Sequence, residues 1–181
     1  MTPAGYMLKA VARKPDWLKA PLVDDVYSVS GHVSPYFADY VQYWKHNGYW
    51  LFDSPAVMRE IAREHAIDPA GAMLFYYEVF EEEFDEDAKA WAAFAPDASL
   101  PTQVERPKSP RLEGYDVATF WARTSPECSP LSCNSLAEHL PVNRHCLLAS
   151  LDEAKRALEG GKFDKSEPGP FRIFAVYTLE P

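Results

Sequence analysis

LFYYEVF at residues 74–80 and FRIFAVY at residues 171–177 are the stretches on which the fold turns. Both are crowded with aromatic and β-branched side chains, which fit a pleated, half-buried surface, so both read as strands. Each closes one half of the chain, and each follows a helix signal. In DSPAVMREIA (53–62), Ser54 stands as N-cap and Pro55 at the first helical position, where its missing N–H costs nothing. In SLDEAKRALEGG (150–161), Ser150 and Glu153 form a capping box, and Gly160-Gly161 ends the helix. Ala154, Ala157 and Leu158 make its apolar stripe, while Glu153, Lys155, Arg156 and Glu159 face water.

Further out, the punctuation of the two halves matches. Asp25-Val26 followed by Ser34-Pro35 parallels Asp116-Val117 followed by Ser125-Pro126. Asn47, Leu51, Phe52 and Ser54 fall on Asn143, Leu147, Leu148 and Ser150. The expected fold is α+β, alternatively an α/β sandwich, with a mixed sheet and helices. It is built from two pseudo-duplicated strand-helix-strand-helix-strand halves, 21–84 and 112–181, within one globular unit spanning 1–181. The plainer alternative is two segments that merely share punctuation. Residues 85–111 join the halves. Asp85-Glu86-Asp87 turns a hairpin with KAWAAF returning beside it, and Pro96, Pro101, Pro107 and Pro110 keep the rest extended.

Composition bounds the function. Hydrophobic residues at 47% and charged residues at 25% are ordinary globular usage, while 14% aromatics and sixteen prolines point to short elements and long ordered loops. A formal charge of −9, from 18 basic and 27 acidic residues, argues against a nucleic-acid backbone as partner and suits a basic protein or a small ligand. No apolar run is long enough for a signal peptide or a membrane span. Three cysteines, an odd number, fit a reducing compartment, and the expectation is a soluble cytoplasmic protein.

Three places carry candidate chemistry. PECSPLSCN (126–134) puts Cys128 and Cys133 in a loop, and Ser135-Leu-Ala-Glu138 reads as a capping box for a short helix over 134–140. Cys133 at that helix N-terminus, with Glu138 and His139 one turn on as base and orienter, has the logic of an activated nucleophile. Zinc on Cys128, Cys133 and His139 is the metal reading, although C-x4-C departs from the usual knuckle spacing. A Cys128–Cys133 disulfide is sterically allowed and disfavoured by a reducing cytosol. The plain alternative is small buried thiols in a proline-ordered turn, with Cys146 packed beside Leu148.

The second place is SPYFADYVQYWKHNGYW (34–50), where aromatic residues recur at helical spacing over more than one face. Tyr36, Tyr40, Trp44 and His46, with His32, form the expected ligand-binding set, against the plain reading of a core helix. The third is EEEFDED (81–87), read as a solvated hairpin end or as a docking patch for a basic partner. No dinucleotide, phosphate-loop, nucleophile-elbow or zinc-protease motif occurs. Two functions follow: a non-enzymatic binding protein using the aromatic surface of 36–50, or a thiol-dependent or metal-assisted enzyme built on Cys128, Cys133 and His139.

Overall fold

A computed structural model describes residues 1–30, 37, 48–94, 103–121 and 126–179. The described strands are β1 (Thr2–Ala10), β2 (Ala12–Arg13), β3 (Asp25–Val26), β4 (Ala72–Val79), β5 (Glu82–Asp85), β6 (Ala90–Ala93), β7 (Arg111–Thr119) and β8 (Phe171–Thr178). The helices are α1 (Pro55–Glu64), α2 (Pro130–Cys133) and α3 (Leu151–Glu159), with a 3-10 turn at Leu136–Glu138. LFYYEVF and FRIFAVY fall in β4 and β8, which pair antiparallel in the middle of a six-stranded sheet. β1 lies on the outer side of β4, β7 on the outer side of β8, and the β5–β6 hairpin joins at the start of β8 through Phe84 and Phe171. The architecture is mixed α+β around a mostly antiparallel sheet.

The helix signals hold. Ser54 precedes α1, with Pro55 in its first turn and Met58 and Ile61 on its buried side. At α3, Ser150 Oγ accepts from the Glu153 N–H at 3.2 Å, and Glu153 returns by accepting from the Ala149 N–H at 3.1 Å. Two capped donors at one helix start stabilise it by about 1–2 kcal/mol. α1 packs on β1, and α3 packs on β7 and β8. One cluster of buried side chains gathers Tyr6, Phe52, Ile61, Phe75, Tyr77 and Phe174, and a second gathers Val117, Leu148, Ala154, Leu158, Phe171 and Ile173. Each valine, leucine, isoleucine or phenylalanine among them contributes roughly 1.5–3 kcal/mol by leaving water.

The two halves differ from the expected strand limits. Asp25-Val26 is only a two-residue strand against Ala12-Arg13, and the first long strand is β1, which lies before residue 21. Gly5 and Lys9 interrupt the apolar alternation of β1, so period-2 reasoning passes over it. β1 and β7 carry the same irregularity, a register shift at Gly5 and at Gly114, both with positive φ. Gly5 pairs with Tyr77 of β4, Gly114 with Val176 of β8, and Tyr77 pairs with Val176 where the central strands meet. Tyr6 then bridges to Phe52, and Tyr115 to Leu148.

Three further expectations change. The short helix over 134–140 reduces to the 3-10 turn, because Ser135 adopts a left-handed conformation (φ 60°) and its side chain makes no cap hydrogen bond. Pro130 starts α2 earlier, so Cys133 sits at that helix's last residue rather than at an N-terminus. The hairpin at 82–93 forms as expected, but Glu83 is buried rather than solvated and is felt by the Arg172 guanidinium. Among the described residues no helix is long and apolar enough to cross a membrane.

Candidate functional site

The structure joins Cys128 and Cys133 by a disulfide, with their Cα atoms 6.5 Å apart, where the reading from cysteine count disfavoured one. The cause is local. Thr119 holds Cys128 from both sides, its N–H donating to the Cys128 carbonyl at 2.8 Å and its Oγ1 accepting from the Cys128 N–H at 3.2 Å. Cys133 N–H donates to the Ser129 carbonyl at 3.0 Å, folding the second sulfur back over the first. In this state neither sulfur is a thiolate or a metal donor, and Cys133 closes α2 rather than opening a helix. Glu138 is engaged elsewhere, accepting from the Lys19 N–H at 2.8 Å, and His139 is exposed. Among the described residues no group of three or more His, Cys, Asp or Glu is arranged to hold a metal ion. Cys146 is buried, and burial together with the Asp116 carboxylate pushes its thiol up to about 12. His32, Tyr36, Tyr40, Trp44 and His46 lie outside the described residues.

Beneath the cysteine loop lies a polar network that the sequence did not announce. Asp116 on β7 is 1% exposed. Its carboxylate accepts from Ser129 Oγ at 2.6 Å, from the Val29 N–H at 2.8 Å and from the Val117 N–H at 2.9 Å. Ser28 Oγ donates to Ser129 Oγ at 2.6 Å and lies 2.8 Å from Ser30 Oγ. Lys9 is half-buried as a residue, but its ammonium turns inward onto the Ser28 and Val29 carbonyls at 2.7 and 3.2 Å. These contacts tie the 20–30 segment across β1 and β7, and Asp24 and Tyr27 N–H groups tie it again to the Arg144 and His145 carbonyls. His145 is held in turn, with Nδ1 2.6 Å from Asp25 and its ring stacked on Tyr27 at 4.0 Å.

Burial raises the Asp116 pKa to about 6 against its hydrogen bonds, and burial lowers Lys9 to about 8 against the attraction of Asp116. A carboxylate raised in the folded state keeps its proton where the unfolded chain has lost it. Its share of stability is therefore present at pH 4 and lost as pH rises to about 6. A lysine lowered in the folded state works the other way, so stability rises from about pH 8 toward 10. Urea unfolding across pH 4–10 is expected to show both slopes, each worth on the order of 2–3 kcal/mol. Asp116→Asn is expected to remove the first while leaving the second. Equal pH 4–6 slopes in the two proteins would contradict this.

The open space lies elsewhere, between α1 and residues 103–109. A cleft of about 720 Å³ is lined by Tyr6, Arg59, Leu74, Arg106, Lys108 and Leu179, with Asp53, Ser54 and Glu105 among its remaining walls. A second cleft of about 510 Å³ shares Arg59, Leu74 and Leu179 and adds Leu8, Met73 and Arg111. Together they make one groove whose floor is the half-buried Leu8, Met73, Leu74 and Leu179. Its far wall is fixed to the sheet: Tyr6 Oη donates to the Glu105 carbonyl at 2.5 Å, and Arg106 pairs with Glu78 at 2.8 Å and bonds the Met1 carbonyl at 2.9 Å. Glu78 is itself held by Tyr76 Oη at 3.0 Å and Tyr177 Oη at 3.2 Å, and burial beside it pushes Tyr177 up to about 12. Arg106 and Arg111 are thus neutralised by Glu78 and Glu113, whereas Arg59 and Lys108 are exposed and make no ion pair with the described residues.

Sequence reasoning missed this groove because Arg59 is far in the chain from Arg106, Lys108 and Arg111. The available signal was VERPKSPRL (104–112), a basic, proline-stiffened run in an otherwise acidic chain. No family model matches the chain, and neither a curated protein nor a solved structure matches it.

Proposed function

We propose that this chain is a non-enzymatic binding protein that takes an amphipathic organic anion, a carboxylate on a hydrocarbon body, in the groove between α1 and residues 103–111. The observation that carries the reading is the pairing of a leucine- and methionine-lined floor with two rim cations, Arg59 and Lys108, that form no ion pair among the described residues. In a chain of net charge −9, two exposed cations on a concave wall focus the local field toward anions. The floor takes the hydrocarbon part, since ligand sites are mostly apolar with a few placed polar groups. Pro107 and Pro110, with Tyr6 and Arg106 as anchors of the 103–111 segment, keep the wall in place before a ligand arrives, which lowers the ordering cost of binding. The matched registers of β1 with β4 and β7 with β8 support a repeated strand pair whose first copy begins at β1 rather than at residue 21, with residues 103–111 serving as the groove wall.

Decanoate is the probe. Isothermal titration into native protein is expected to give saturable one-to-one binding that weakens as salt rises. The double variant Arg59→Ala, Lys108→Ala should bind about tenfold or more weakly, about 1.4 kcal/mol. Unchanged affinity in that variant, or inorganic phosphate binding as tightly as decanoate, would overturn the proposal.

A further inference from the structure

The Cys128–Cys133 disulfide lies in a loop whose backbone does not depend on it, and from this we propose that it is an exchangeable redox site, opened and closed by small thiols without unfolding. The Thr119 clamp on Cys128, the Cys133 N–H to Ser129 carbonyl bond and the Asn134 N–H to Pro130 carbonyl bond at 3.2 Å are all backbone anchors that survive reduction. Pro126 and Pro130 stiffen the loop on either side of Cys128. The Asn134 side-chain oxygen lies 3.6 Å from the Cys128 sulfur and 3.5 Å from the Cys133 sulfur, so both thiols have an acceptor already placed when the bond opens. Asn134 is fixed in turn by the Glu167 N–H, which donates to the same oxygen at 3.3 Å. Both oxidation states therefore keep one geometry.

Exposure sets the direction of attack. Cys133 is exposed and Cys128 is half-buried, so an incoming thiolate reaches the Cys133 sulfur. Its sulfur bonds to Cys133, the Cys128–Cys133 bond breaks, and Cys128 leaves as thiolate and takes a proton from water. A second thiolate then attacks the mixed disulfide at the sulfur of the first, releasing the oxidised small-molecule disulfide and the Cys133 thiolate, which also takes up a proton. Two small thiols are oxidised and one protein disulfide is reduced. Cys146, buried with its thiol raised to about 12, takes no part and serves as an internal control.

Native full-length protein is equilibrated with mixtures of reduced and oxidised glutathione, quenched with iodoacetamide and weighed intact. The expected result is two carbamidomethyl groups at the reducing end and none at the oxidising end. A third group should appear only after denaturation, and circular dichroism should be unchanged throughout. In Cys128→Ser, the Cys133 thiolate is expected to attack oxidised glutathione, forming the mixed disulfide and releasing one reduced glutathione, at least tenfold faster than the Cys128 thiolate does in Cys133→Ser. If the disulfide resists reduction until the protein unfolds, or if reduction itself unfolds the chain, the proposal fails. Equal rates in the two serine variants would overturn the assignment of Cys133 as the attacked sulfur.

Discussion

Asp116→Ala is expected to destabilise the protein by about 3–5 kcal/mol, because it removes the buried acceptor of three hydrogen bonds and strands their donors. Ser129 Oγ, the Val29 N–H and the Val117 N–H each lose their acceptor, and the inward-turned Lys9 ammonium loses the attraction of the Asp116 carboxylate. Tyr77 and Cys146, which both feel the Asp116 charge, become easier to ionise, but neither replaces it as an acceptor. At roughly 2–4 °C per kcal/mol for a chain of this size, the melting temperature should fall by on the order of 10 °C. Lys9→Met alone should cost less, since Asp116 keeps three hydrogen bonds and can hold a proton. Combining Lys9→Met with Asp116→Leu should recover part of the loss, because the cavity is refilled with apolar volume and no buried charge remains. Strictly additive effects of Lys9→Met and Asp116→Ala in urea unfolding would show that the two groups are not coupled.

The second large effect is at Gly114. Its φ of +150° lies where side-chain-bearing residues are rare, and a Cβ there would sit 2.8 Å from Leu147 Cβ, 2.8 Å from the Leu148 carbonyl oxygen and 3.1 Å from Asn143 Nδ2. Two of these three atoms cannot swing aside, being a backbone oxygen and the first carbon of a buried side chain. Gly114→Ala therefore combines backbone strain of about 1–3 kcal/mol with overpacking of about 1–3 kcal/mol. The damage falls on the bridge between Tyr115 and Leu148, whose two hydrogen bonds of 2.9 Å seat the 142–148 segment on β7. It also falls on the Asn143 side-chain bond to the Glu113 carbonyl at 2.7 Å. Gly71→Ala is the control, since its φ of +82° carries strain but nothing lies within 4 Å of the added carbon. Its cost should stay near 1 kcal/mol. Equal losses at the two sites would contradict the close approach at Gly114.

Much of the scaffold was legible from local chemistry. LFYYEVF and FRIFAVY hold enough aromatic and β-branched residues to declare themselves strands, and Ser54-Pro55 and Ser150-Glu153 mark helix starts whatever packs against them. β1 was hidden because a lysine and a glycine sit in it for tertiary reasons: Lys9 bonds the Ser28 and Val29 carbonyls of the 20–30 segment, and Gly5 allows the register shift. Ser135 misled for the opposite reason. The capping-box letters are present, but the backbone at Ser135 is left-handed and its side chain makes no cap hydrogen bond. The buried network assembles Lys9, Ser28, Asp116 and Ser129 from four separate stretches, so no window of sequence contains it. The groove is illegible in the same way, except for the basic run at 104–112 that supplies one of its walls.

Backbone amide chemical-shift mapping of the native protein titrated with decanoate tests the central claim most directly. The account predicts saturating shifts confined to Leu8, Arg59, Leu74, Lys108 and Leu179 and their neighbours along the groove. Shifts concentrated in residues 36–50, with the groove residues unmoved, would contradict it and return the binding site to the aromatic segment.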